Sequence, residues 1–101
     1  YTKKVTDDLN YRLDVLSAAE QDDNQAGERA KELLEVWEKY EKRMSLHTRH
    51  NELEEVTSAL TQIESCWRMD EYELFRMACD DARVSVDHLL EEARLSWKNI
   101  I

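Results

Sequence analysis

The imidazoles of His47, His50 and His88 are the first groups in this chain to ask for chemistry. His47 and His50 form an H-x-x-H pair, which on a helix puts two nitrogen ligands on nearly one face, the kind of donor a zinc-type site uses. A third ligand has to come from elsewhere, Glu52 or Asp87 being suitable in type. The chain lacks the Glu-x-x-His unit with which di-iron bundles hold an ion, and geometry as well as ligand type decides whether a metal binds. The plainer reading is that His47 and His50 meet helix-end carbonyls or solvent. No metal is assigned, and a metal-binding bundle is the least favoured of the alternatives.

Cys66 and Cys79 match no zinc spacing and no C-x-x-C pattern. Cys66 falls just before an expected turn and Cys79 well past it, which works against the ~7 Å approach of Cα atoms that a disulfide needs. They read as small apolar residues, and no neighbouring base marks either as a nucleophile. Carboxylates are plentiful, but catalytic pairs need one acid with a raised pKa in a pocket. Here many sit three or four residues from a cation, as in Glu28–Lys31–Glu35–Lys39, the spacing of solvated helix pairs. A phosphate-cradling loop is excluded because Gly27 is the only glycine. The chain is expected not to be an enzyme, with no catalytic residue and no cofactor.

The aromatic residues suggest one more site. Trp37, Trp67 and Trp97 recur at intervals of thirty. Two of them, Trp37 and Trp67, would suit a small-molecule pocket between helices, although as members of apolar stripes they are already explained as core.

All these residues must be positioned by helices. The 101-residue chain has no proline, one glycine and 37% charged residues, a composition of helical bundles rather than strands and turns. The 3- and 4-residue spacing of apolar positions predicts four helices. Helix 1, about Thr2–Gln21, carries Val5, Leu9, Leu13, Leu16 and Ala19, with Asp7 and Asp8 in its first turns, where acids suit the helix dipole. A break follows over Asp22–Gly27, in which Asn24 can cap and Gly27 can take the left-handed conformation. Helix 2, from Gln25 or Glu28 to Leu46, carries Ala30, Leu33, Trp37, Tyr40 and Met44; helix 3, about Asn51–Arg68, carries Leu53, Val56, Leu60, Ile63 and Trp67. The nine residues from Met44 to Leu53 amount to half a turn at 100° per residue. A turn over His47–Asn51 would bring both stripes to one core, with Asn51 and Glu54 as a capping box; otherwise helices 2 and 3 are one rod. Helix 4, from about Asp70, carries Phe75, Cys79, Ala82, Val86, Leu89, Ala93, Trp97 and Ile100. At ~45 Å it should overhang helices of ~25–30 Å or bend. Its apolar end, Leu95, Trp97, Ile100 and Ile101, either packs on helix 1 or forms a patch for a partner, and it is the best candidate for a partner surface.

The fold expected is an antiparallel four-helix bundle forming a single domain over 1–101, or three long helices if helices 2 and 3 are continuous. A formal net charge of −9 repels free nucleic acid and anionic membrane surfaces. The expected partner is another protein or a second copy.

Trp37, then His50 with Glu52 and Leu53, the run Val56, Leu60 and Ile63, and the acidic Asp70–Glu71 give residues 30–90 a resemblance to a family. It consists of short, uncharacterised helical proteins, mostly from spore-forming Gram-positive bacteria. The resemblance implies an N-terminal membrane anchor ahead of Tyr1 and an extracytoplasmic helical region, and it supplies no catalytic residue. The function expected is a non-enzymatic structural or protein-interaction domain, with a small-molecule-sensing bundle as the alternative.

Overall fold

The computed structural model describes the backbone of residues 1–100 and the side chains of residues 1–95. Four helices follow one another: α1 Thr2–Ser17, α2 Ala26–Met44, α3 His50–Arg68 and α4 Tyr72–Ile100. α1 packs on α2 and α4, and α3 packs on α2 and α4, while the diagonal pairs do not meet. Short connections make sequential neighbours antiparallel, so the fold is the expected four-helix bundle. Helices 2 and 3 are separate. The half-turn phase shift between their stripes is relieved over Ser45–Arg49, after which Leu53 and Met44 both reach the core.

As far as Leu89, the apolar stripes form the core. Leu9, Leu13, Trp37, Val56, Ile63, Phe75, Cys79, Ala82 and Val86 are all fully buried, while Tyr40 and Trp67 pack at its edge. Each fully buried aliphatic or aromatic side chain contributes ~1.5–3 kcal/mol by removal from water, which is how the thin core of a 101-residue chain holds together. α4 is 29 residues long against 16 for α1 and 19 for α2 and α3, and the molecule measures 49 × 20 × 20 Å. α4 therefore runs past the ends of its neighbours, as its length predicts.

Local chemistry at the helix ends departs from the sequence expectations. α1 stops at Ser17, not Gln21, and its first turn holds no acid. Asp7 and Asp8 lie one turn later, where Lys3 meets Asp7 at 2.9 Å and Arg12 meets Asp8 at 3.1 Å. Asn24 does not cap α2. Asp23 does related work, its Oδ1 accepting the Gln25 N–H at 2.9 Å, an Asx turn that satisfies a donor at the helix entrance. Gly27 has no positive φ and lies inside the first turn of α2. A Cβ on it would stand 3.1 Å from both Cδ1 and Nε1 of Trp67, so the missing side chain serves the close approach of α2 to α3.

The Asn51–Glu54 capping box is also absent. The residue ahead of α3 is Arg49, in extended conformation with no side-chain cap bond. Its carbonyl accepts the N–H groups of Glu52 and Leu53 at 3.2 and 3.3 Å. The left-handed residue expected at Gly27 occurs instead at Asp70, φ 57°. There the Glu71 N–H reaches the Cys66 carbonyl at 3.0 Å and the Asp70 N–H reaches Trp67 at 3.1 Å, the paired bonds of a Schellman stop. α4 begins two residues later at Tyr72 rather than at Asp70.

Candidate functional site

Polar side chains that enter the bundle are used to tie helices together. On the α2–α3 seam, the fully buried Trp37 donates its Nε1–H to Thr57 Oγ1 at 2.8 Å. The Thr57 hydroxyl in turn has Glu41 Oε2 at 2.9 Å and the Leu53 carbonyl at 3.1 Å as acceptors. On the α1–α2 seam, Tyr40 Oη donates to Asp8, which Arg12 also holds. The hydrogen bond to Asp8, then burial and the Asp8 charge, push the Tyr40 phenol above its ordinary 10.0. Arg83 of α4 pairs with Asp14 of α1. Tyr72 Oη donates to the Ala19 carbonyl at 2.9 Å, closing the end of α1 onto α4. Among the described residues no buried side-chain polar atom lacks a partner.

The histidines lie apart. His47 is exposed in the α2–α3 turn, and His50 opens α3 with Glu54 at 3.7 Å. His88 sits on α4 with its Nδ1 3.3 Å from Glu55 Oε1, an oxygen that Ser85 Oγ also approaches at 3.3 Å. The carboxylate, not the imidazole, is the middle member, so the histidine is not placed to take a proton from the serine as a hydrolytic triad requires. No cluster of three or more metal-capable side chains occurs among the described residues. Both cysteines are free and buried. Desolvation, partly offset by a hydrogen bond with Ser17, pushes the Cys79 thiol up to about 11, away from the thiolate that nucleophilic chemistry needs.

Trp37 and Trp67 do not share a pocket in the clefts described. Trp37 borders none of them. Trp67, stacked edge-on against Phe75 at 4.9 Å, borders a crevice of ≈ 20 Å³ with Gln21, Asp70, Glu71 and Tyr72, room for about one water. A cleft of ≈ 270 Å³ between α1 and α2 is lined by Tyr11, Arg12, Val15, Arg29 and Glu32, but both of its arginines already meet acids, Asp8 and Asp23. A third cleft, an open groove of ≈ 580 Å³, runs between Tyr1–Lys3 at the start of α1 and Leu90–Leu95 of α4.

Of the partner surface expected from the sequence, this groove includes one residue, Leu95. Leu95 borders it and is 48% exposed; Trp97, Ile100 and Ile101 lie outside the described side chains. Sequence reasoning passed over the outer side of α4, where Leu74, Met77 and Val84 are also exposed. They fall off the inward stripe, and that displacement is the signal by which they can be found.

A family model described as a domain of unknown function, DUF4363, matches residues 1–100. No curated protein and no solved structure matches the chain.

Proposed function

Since this chain belongs to the family of the domain of unknown function DUF4363, we propose that it is a non-enzymatic structural and protein-interaction domain, held outside the cytoplasm by a membrane tether. The observation that carries this reading is the excess length of α4. A helix of 29 residues beside neighbours of 16 and 19 has turns that those neighbours do not cover. A bundle that served only its own core would end its helices together. The overhang leaves Leu95 half-exposed beside an open groove whose lining includes Leu90 and Ala93, a surface that a second helix can cover.

The use of the polar groups between helices also supports the reading, since Trp37, Thr57, Tyr40, Asp8 and Tyr72 serve the joints between helices. No helix among the described residues is long and apolar enough to cross a membrane, so the proposed tether belongs to a segment other than these four helices. The partner surface is proposed to comprise Leu95, Trp97, Ile100 and Ile101, with self-association as the first expectation.

Native mass spectrometry of the full chain and of a variant ending at Glu92 tests this. The full chain is expected to show a dimer that the shortened chain loses, while both melt cooperatively. Equal oligomer distributions in the two would overturn the assignment of the partner surface to the end of α4. Tethering is tested separately, by protease accessibility on intact cells; protection of the domain would refute an outward-facing location.

A further inference from the structure

The outer face of α4 carries a second pattern, independent of the overhang. Glu73, Asp80 and Asp87 repeat every seven residues and are all exposed. Met77 and Val84 follow the first two acids by four residues and are 59% and 53% exposed, with Leu74 at 49%. At 100° per residue these positions form one strip, turned away from the buried Phe75, Cys79, Ala82 and Val86. In heptad terms Leu74, Met77 and Val84 hold a and d positions of an unpaired seam, and the three acids hold one flank of it. Asp81 and His88 fall at a positions of the same strip, His88 with its Nδ1 3.3 Å from Glu55 of α3.

No ion pair among the described residues joins the acids of this strip to a cation. The described cations of α4 face other groups: Arg76 lies over the Tyr72 ring, Arg83 pairs with Asp14, and Arg94 lies near Glu91 at 3.7 Å. A second copy packed antiparallel on this strip would set one acidic flank against another. An anionic membrane surface is repelled for the same reason.

From this arrangement we infer that the outer face of α4 is a docking strip for a basic amphipathic helix of another protein, one with an apolar a/d seam flanked by Lys or Arg. Its apolar seam covers Leu74, Met77 and Val84, and its cations meet Glu73, Asp80 and Asp87. The occupant and the face both differ from those of the overhang, so the two readings fail separately.

The probe is a synthetic four-heptad peptide with Leu at a and d and Lys at e and g, compared with the same peptide carrying Glu at e and g. Binding to the full chain is measured by calorimetry at low and at high salt. The Lys peptide is expected to bind and to weaken with salt, and the Glu peptide to show no heat. Two variants locate the site, each checked for unchanged melting because every altered side chain is exposed. Glu73→Lys with Asp80→Lys and Asp87→Lys should weaken the Lys peptide at least tenfold. Met77→Asp with Val84→Asp should also weaken it at least tenfold, although it adds two negative charges. Tighter binding by that second variant would mean attraction to net charge alone and would overturn the inference. Equal binding of the Lys and Glu peptides, or no binding of either, would overturn it as well.

Discussion

Replacing Thr57 by valine tests the joint between α2 and α3. Valine keeps the shape of threonine and removes only the hydroxyl, and with it the acceptor for Trp37 Nε1 at 2.8 Å. The Trp37 side chain is 0% exposed, so its N–H cannot turn to solvent. A buried donor left unpaired costs ~1–3 kcal/mol. Glu41, which also loses a bond, is half-exposed and recovers water, so it adds little. The expected loss is about 2 kcal/mol. For a domain of this size 1 kcal/mol moves Tm by roughly 4–8 °C, so thermal unfolding followed by helical circular dichroism should shift down by about 8–16 °C. Thr57→Ser keeps the hydroxyl and gives up one methyl, and should lose less than ~1 kcal/mol. In a double-mutant cycle, Trp37→Phe with Thr57→Val should cost less than the sum of the two single changes by ~1–2 kcal/mol. Loss below ~0.5 kcal/mol in Thr57→Val, or a serine variant as unstable as the valine variant, would refute the claim that this hydrogen bond holds the seam.

Three further outcomes follow from the geometry. Gly27→Ala should fail to stabilise α2, against the ~1 kcal/mol gain that alanine normally brings to a helix. The new Cβ meets the Trp67 ring at 3.1 Å and that ring is backed by Phe75; urea titration of Gly27→Ala in the parent and in a Trp67→Leu background should show the gain only in the latter. Asp70→Gly should stabilise by ~1 kcal/mol, because it removes the cost of a left-handed φ of 57° at a residue with a Cβ; a lower denaturation midpoint would contradict this. At alkaline pH, Tyr40 and Cys79 both favour their neutral forms in the folded state. Their contribution is therefore present below the unfolded pKa values, ~9–10, and for Cys79 is lost as pH rises through about 11. Stability profiles should fall over that range, less steeply in Tyr40→Phe and Cys79→Ala, and native Cys79 should resist thiol reagents at pH 8. Rapid labelling without unfolding would count against its burial.

The sequence by itself was enough for the helices, for the stripes that became the core, and for the phase shift between α2 and α3, while the choice of a turn over one continuous rod belonged to the packed bundle. The first three are local properties. Apolar spacing sets which side of a helix avoids water, and the nine residues from Met44 to Leu53 are out of phase whatever the rest of the chain does. The excess length of α4, and so the overhang, was legible in the same way. What depended on tertiary structure were the helix ends and every interhelical bond. Gly27 looked like a left-handed turn residue, but Trp67, forty positions away, set its role through close approach. Asp70 carries the positive φ because the Schellman bonds from Asp70 and Glu71 close α3 there, whatever its side chain prefers. No pattern in the sequence joined Thr57, Asp8, Asp14 and Tyr72 to their partners Trp37, Tyr40, Arg83 and Ala19, which lie 20 to 69 residues away. Periodicity records which face of a helix is buried. Only the packed bundle determines which polar group meets which, because that depends on the rotation and height of each helix against its neighbour.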